Sequence, residues 1–291
     1  MTFNDDSDIS KGRVSRRGRN TGIAVGGGGG LIVIVALVVA ALGGPDLTSI
    51  VGPLTGGGGG SDSGPVDSLE QCQTGSDANE QLDCRMKGAA ASLDTYWATE
   101  VDSYTPSEIV LFSGSVSTGC GSASSAVGPF YCPPDQMVYI DTSFYDELES
   151  RYGASDGSLA QLYVVAHEWG HHVQNITGLM DGLDLQTPGP ESDGVRLELQ
   201  ADCFAGAWVG AAEETEDASG RPFLEPVTNQ QIADALSAAA AVGDDRIQEA
   251  TTGQVQPERW THGASEQRQS WFETGRTEGP RACDTFNAAS L

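Results

Sequence analysis

The run "VVAHEWGHHVQNITG" (164–178) places three of the chain's four histidines and a glutamate within six positions. His167 and His171 are four residues apart, so on a helix both side chains leave one face, about one turn apart. Two imidazoles at that spacing can bind a single Zn2+. Glu168 is rotated by ~100° from His167. It stands too far round to join the same ligand cluster, but it can take a proton from a water that the metal activates. That division of labour is the physical content of the H-E-x-x-H pattern. The residues just before it (Leu162, Tyr163, Val164, Val165, Ala166) are apolar, which predicts a buried helix. Buried His and Glu side chains without partners are costly, and a metal with its water would supply them.

A catalytic zinc needs a third protein ligand. His172 lies ~100° round the helix from His171 and is poorly placed for it. The better candidate is in "RLELQADCFAGAW" (196–208), where Glu198 and Asp202 are four apart and share a face. Glu198 can complete a two-histidine, one-glutamate site. Asp202 can accept the N–H of the nitrogen that a zinc-bound histidine turns away from the metal. Leu197, Leu199, Ala201, Phe204 and Trp208 around the pair argue against a solvated acidic face. His262, in "THGASEQR", is a candidate to stabilise the oxyanion of a tetrahedral intermediate, with Tyr163 and His172 as weaker ones.

The elements that must position these residues follow from pattern. Residues 159–177 read as the helix of the first motif, ended by Gly178. A polar loop leads to the helix that begins at Val195. Thr228 with Gln231 three residues on forms a capping box for "NQQIADALSAAAAVG", and "SEQRQSWFETG" is a last helix. The segments 107–115 and 136–144 are apolar, β-branched and aromatic, hence strands. The six cysteines (Cys72, Cys84, Cys120, Cys132, Cys203, Cys283) allow fifteen pairings. Short separations suggest Cys72–Cys84 and Cys120–Cys132, which leaves Cys203–Cys283.

Ile23–Leu42 is 20 residues without a charge, about 30 Å as a helix and enough to cross a bilayer. Residues 1–22 are basic, and Pro45-Asp46 follow the span, which orients the N-terminus to the cytoplasm. A cleaved signal peptide is the rival reading. Residues 43–66 are a Gly/Ser/Pro tether, and the folded domain is predicted over 67–291, outside the cytoplasm, where six cysteines can pair. With 15 Lys+Arg against 41 Asp+Glu and a net charge of −26, the chain repels phosphate backbones, so no nucleic-acid partner is expected.

H167-E-W-G-H171 followed 27 residues later by E198-L-Q-A-D202 resembles the gluzincin metallopeptidases. The basic N-terminus with one Gly-rich span, "AHEWGHHVQ", "RLELQADCFAGAW" and "THGASEQRQSWFETG" are similar to the bacterial family of neutral zinc metallopeptidases. The resemblance implies one zinc per chain on His167, His171 and Glu198, Glu168 as general base, Asp202 behind a ligand, and a peptide or protein substrate. The expected fold is α+β, a helix-dominated zincin-like domain with a short β-sheet beside the active-site helix. Two rival functions share these residues: a non-catalytic, zinc-stabilised binding module of the cell envelope, and an amidase of cell-wall peptides. The first would not need Glu168.

Overall fold

Alternation along the strands decides which face of the sheet each residue serves. In the computed structural model, which describes residues 2–17, 66–152, 154–155 and 157–291, Ile109 and Leu111 of β3 (Glu108–Phe112) enter the main core. So do Val138 and Ile140 of β7 (Met137–Asp141). Val110, Phe112 and Tyr139 point to the other face, where they meet Val116 and Phe130 in a second, smaller cluster. This period of two is what a sheet buried on both sides requires. The sheet runs β2-β1-β3-β7-β6, with β1 Val14–Arg17, β2 Val66–Asp67 and β6 Phe130–Cys132. β1, β3 and β7 are parallel, while β2 and β6 run antiparallel at the two edges. A hairpin, β4 (Ser115–Thr118) and β5 (Gly121–Ser124), covers the smaller cluster.

Helices fill the rest: α1 Gly75–Glu80, α2 Leu82–Glu100, α3 Phe144–Tyr152, α4 Ser158–Ile176, α5 Asp193–Gly210, α6 Asn229–Ala241, α7 Asp244–Thr252 and α8 Ser265–Glu278. The result is a helix-dominated α+β fold, with α4 lying against β6 and β7, as the sequence pattern predicts. Thr228 and Gln231 make the expected reciprocal capping box. Gly178 takes a left-handed φ of 75° just past the end of α4, a conformation with no Cβ penalty for glycine. All six cysteines pair as 72–84, 120–132 and 203–283.

One expectation needs correction. The sequence reading sets residues 1–22 apart from a domain that starts at 67, yet residues 2–17 are built into that domain. Phe3, Ile9 and Val14 are buried in the main core, and β1 fills the position between β2 and β3. Phe3 exchanges hydrogen bonds with Asn79, donating its N–H to Oδ1 and accepting from Nδ2, each at 2.9 Å. Arg16 donates through Nε to Asp83 at 2.8 Å, so this basic residue has a partner within the fold. Three apolar residues spaced without a helical or strand period leave little signal in the sequence. Arg17 pairs with Val66 across the sheet, so the chain leaves and returns at neighbouring positions. The 23–42 and 43–65 segments lie outside the described residues, and no helix among the described residues is long and apolar enough to cross a membrane.

The arm can be tested by stability. Phe3 lies directly over Gly88, where an added Cβ would come within 2.6 Å of its ring. Phe3→Ala should therefore cost about 3–5 kcal/mol, read from the urea midpoint. A loss below ~1 kcal/mol would mean that the arm is peripheral.

Candidate metal centre

α4 and α5 cross where each has a small residue. A Cβ on Gly170 would approach Ala201 Cα to 2.9 Å, so the backbones meet there. Gly170 lies between His167 and His171, and Ala201 between Glu198 and Asp202. The crossing thus sets the two-histidine face of α4 against the carboxylate face of α5. Ligand atoms of His167, His171 and Glu198 fall within 4.8 Å of one another, and all three residues are buried. His167 Nε2 is 3.2 Å from Glu198 Oε2, and His171 Nε2 is 3.4 Å from Oε1.

The far side of each ring decides what these atoms are. His167 Nδ1 lies 2.8 Å from Asp202 Oδ1, and His171 Nδ1 lies 2.8 Å from Gln174 Oε1. Both partners are oxygen acceptors, so each Nδ1 carries a hydrogen and each neutral ring presents a bare lone pair at Nε2. Both Glu198 oxygens are buried and have no hydrogen-bond partner among the described residues. A buried carboxylate facing two lone pairs is unfavourable until positive charge enters between them. The same demand shows in titration. Burial disfavours the His167 imidazolium, but Asp202 and Glu198 outweigh it and push the pKa up to about 10. Two nitrogens and one carboxylate are a donor set that fits a four-coordinate zinc whose fourth position is left to water or substrate.

Around this trio the other candidates separate. Glu168 is buried beside the ligands, and burial raises its pKa; the two histidines and the Tyr131 main-chain amide of β6 oppose the rise. His262 is buried, and its Nε2 has no partner among the described residues. It is close enough to Glu198 for their charges to act on each other. Asp244 at the start of α7 holds it: Oδ2 accepts the main-chain N–H of Thr261, His262 and Gly263 at 2.7, 2.6 and 3.0 Å. Gly263 is at φ +88°, which suits the glycine of that turn. His172 points away from the ligand trio. Its Nε2 reaches Thr105 O at 2.6 Å and its Nδ1 reaches the Tyr131 hydroxyl at 3.1 Å, so both nitrogens are committed. Tyr163 donates to Asp202 and is fully enclosed, which leaves it no route to an oxyanion.

Three residues escaped the sequence reading. Gln174 is i+3 from His171, a spacing that was open to inspection. Asp244 and Arg268 had no local signal. Arg268, on α8, donates through Nε to Asp202 Oδ2 at 2.7 Å and through Nη2 to Oδ1 at 2.9 Å.

The family model described as "putative neutral zinc metallopeptidase" matches residues 3–286, nearly the whole chain. The chain belongs to this zinc metallopeptidase family. The match begins at residue 3, so it includes the arm that carries β1. An uncharacterized protein of Mycobacterium tuberculosis is 51% identical over 225 residues, 77% of each chain. The uncharacterized protein YpfJ of Escherichia coli K12 is 42% identical over 206 residues, 67% of this chain and 68% of that one. No solved structure matches the chain significantly. Membership implies zinc and a hydrolase.

Proposed function

We propose that this family member is a membrane-attached, extracytoplasmic peptidase that hydrolyses peptide bonds with one zinc per chain. The observation that carries the reading is the buried trio of His167, His171 and Glu198, two lone pairs and an unpartnered carboxylate, with Glu168 beside it. Zinc held there would supply Lewis-acid activation of water and of the scissile carbonyl. The chain's own residues supply the rest. Glu168, its pKa raised by burial, accepts a proton from the attacking water and returns it to the leaving amine. His262 donates through Nε2 to the carbonyl oxygen as negative charge develops on it. Among the described residues β6 pairs only with β7, so an extended substrate that adds as a strand would do so along the other side of β6, where the Tyr131 main-chain amide meets Glu168. Tyr131 and Asn175 tie this strand to α4, with Asn175 Nδ2 donating to the Tyr131 hydroxyl at 2.9 Å.

The decisive experiment incubates the purified chain with a proteome-derived peptide library. Cleavage that a chelator abolishes and zinc restores is the expected result. Stoichiometric zinc binding with no cleavage of any peptide would sink the peptidase reading.

His262 should set the alkaline limb of the activity profile. Burial disfavours its imidazolium, but in the metal-free chain Asp244 and Glu198 prevail and raise the pKa above the usual 6.5; zinc would offset the charge of Glu198 and leave Asp244 to hold the pKa up. The donor is present below that raised value and is lost as pH rises through it. Asp244→Asn should therefore shift the alkaline limb to lower pH, and His262→Ala should lower kcat by about 10²–10³-fold. An unmoved limb in Asp244→Asn would exclude His262 as the donor.

Location is also a proposal. The paired cysteines suit an oxidising compartment, and residues 2–17 fold with the domain, so both belong on one side of the membrane with the 23–42 segment as the attachment. An N-terminal epitope tag should be cut by protease added to intact cells, together with the domain. A protected tag beside an accessible domain would reinstate the single crossing.

A further inference from the structure

Asp202 orients His167, and something must orient Asp202. Its carboxylate is fully buried and receives His167 Nδ1 at 2.8 Å, the Tyr163 hydroxyl and Arg268. A single contact fixes where a carboxylate oxygen lies; it does not fix the plane of the group. Arg268 makes two parallel contacts, Nε to Oδ2 at 2.7 Å and Nη2 to Oδ1 at 2.9 Å, and a fork of this kind fixes the plane as well. The guanidinium is itself held, with Nη1 donating to Val242 O at 3.1 Å and Nη2 to the Tyr163 hydroxyl at 3.2 Å. Nη2 also lies 3.3 Å from His167 Nδ1. With the hydrogen on Nδ1 directed at Asp202, this is an approach of two donors, which only the carboxylate between them makes tolerable.

The helix that carries Arg268 is docked without slack. A Cβ on Gly206 of α5 would come within 1.9 Å of Phe272 O on α8, and a Cβ on Gly275 of α8 within 1.8 Å of Cys203 O on α5. The two backbones touch at both points, within about a turn of Asp202 on α5 and within two turns of Arg268 on α8, and Cys203–Cys283 ties the segment after α8 back to α5. Arg268 thus reaches the carboxylate from a rigid neighbour and not from a loop.

We infer that Arg268 is a positioning residue of the metal centre: by gripping Asp202 with its fork it holds the His167 ring so that Nε2 faces the metal. The inference rests on the zinc reading above and deepens it. A merely structural arginine would neutralise a buried carboxylate and support the fold, and removing it would not alter the metal's surroundings in protein that still folds.

The test uses the full chain as wild type, Arg268→Met, Arg268→Lys, Asp202→Asn and the Arg268→Met/Asp202→Asn double variant. Zinc affinity is measured by chelator competition, the visible spectrum of the cobalt-substituted site reports ligand geometry, and thermal melting of the metal-free proteins reports folding. Arg268→Met should weaken zinc by about 10–100-fold and shift the cobalt bands in the same sense as Asp202→Asn. The double variant should be little weaker than the worse single variant, because both substitutions break one linkage. Arg268→Lys keeps the charge but not the fork, so it should fall between wild type and Arg268→Met. It also carries the test alone if Arg268→Met does not fold. Unchanged zinc affinity and an unchanged cobalt spectrum in a folded Arg268 variant would overturn the inference and leave the zinc reading standing. A wild-type chain that binds no zinc would sink both.

Discussion

Glu168→Gln should leave zinc bound and reduce peptide hydrolysis by about 10²–10⁴-fold, the contribution of a positioned general base. The substitution is close to isosteric, and the site tolerates it because the amide keeps an oxygen acceptor for the Tyr131 main-chain amide that faces the carboxylate. The amide cannot accept the proton of the attacking water. Glu168 contributes nothing to the trio whose ligand atoms converge within 4.8 Å, so metal content and melting temperature should stay near wild type. Metal analysis after dialysis, alongside turnover of a fluorogenic peptide, makes the comparison. Full activity in the zinc-loaded variant would rule out the base mechanism, whereas loss of zinc would instead move Glu168 into the ligand set.

The second large effect separates two carboxylates on one helix face. Glu198→Gln should leave the chain largely metal-free after dialysis. The substitution removes the negative charge that both imidazole lone pairs share, and an amide is a poor zinc ligand. Asp202→Asn should keep measurable zinc at high supply, with affinity or activity lowered about 10–100-fold. The amide oxygen can still accept the His167 N–H, provided that Arg268 turns the group the right way. The geometry supports this ranking. Glu198 oxygens face both Nε2 atoms and lack other partners, while Asp202 is committed to His167 Nδ1, Tyr163 and Arg268. Zinc titration of both variants against a chelator is the measurement, and the reverse order would make Asp202 the ligand.

What the sequence determined by itself is what lies within one turn of helix or one strand. The four-residue spacings of His167 with His171 and of Glu198 with Asp202 settle which side chains share a face, since helix geometry repeats regardless of surroundings. The Thr228–Gln231 capping box, the Gly178 terminus and the strands near 108–112 and 137–141 are local in the same sense. Two of the disulfides close short loops, twelve residues apart each, and the third followed by elimination. The tertiary structure alone decided the relations between distant segments. Arg268 meets Asp202 across 66 residues of sequence. Nothing local marks an arginine as buried when its face is defined by glycines on another helix. Nothing local marks Asp244 either, since the three amides of the His262 turn that its Oδ2 accepts from lie 17 to 19 residues on. The arm of residues 2–17 looked like the basic flank of a membrane segment. It folds with the domain because the gap between β2 and β3 needs a strand, and the apolar side chains of Phe3, Ile9 and Val14 are worth more in the core than in water. A hydrogen-bonding slot and a cavity are properties of the assembled sheet, and no window along the chain displays them.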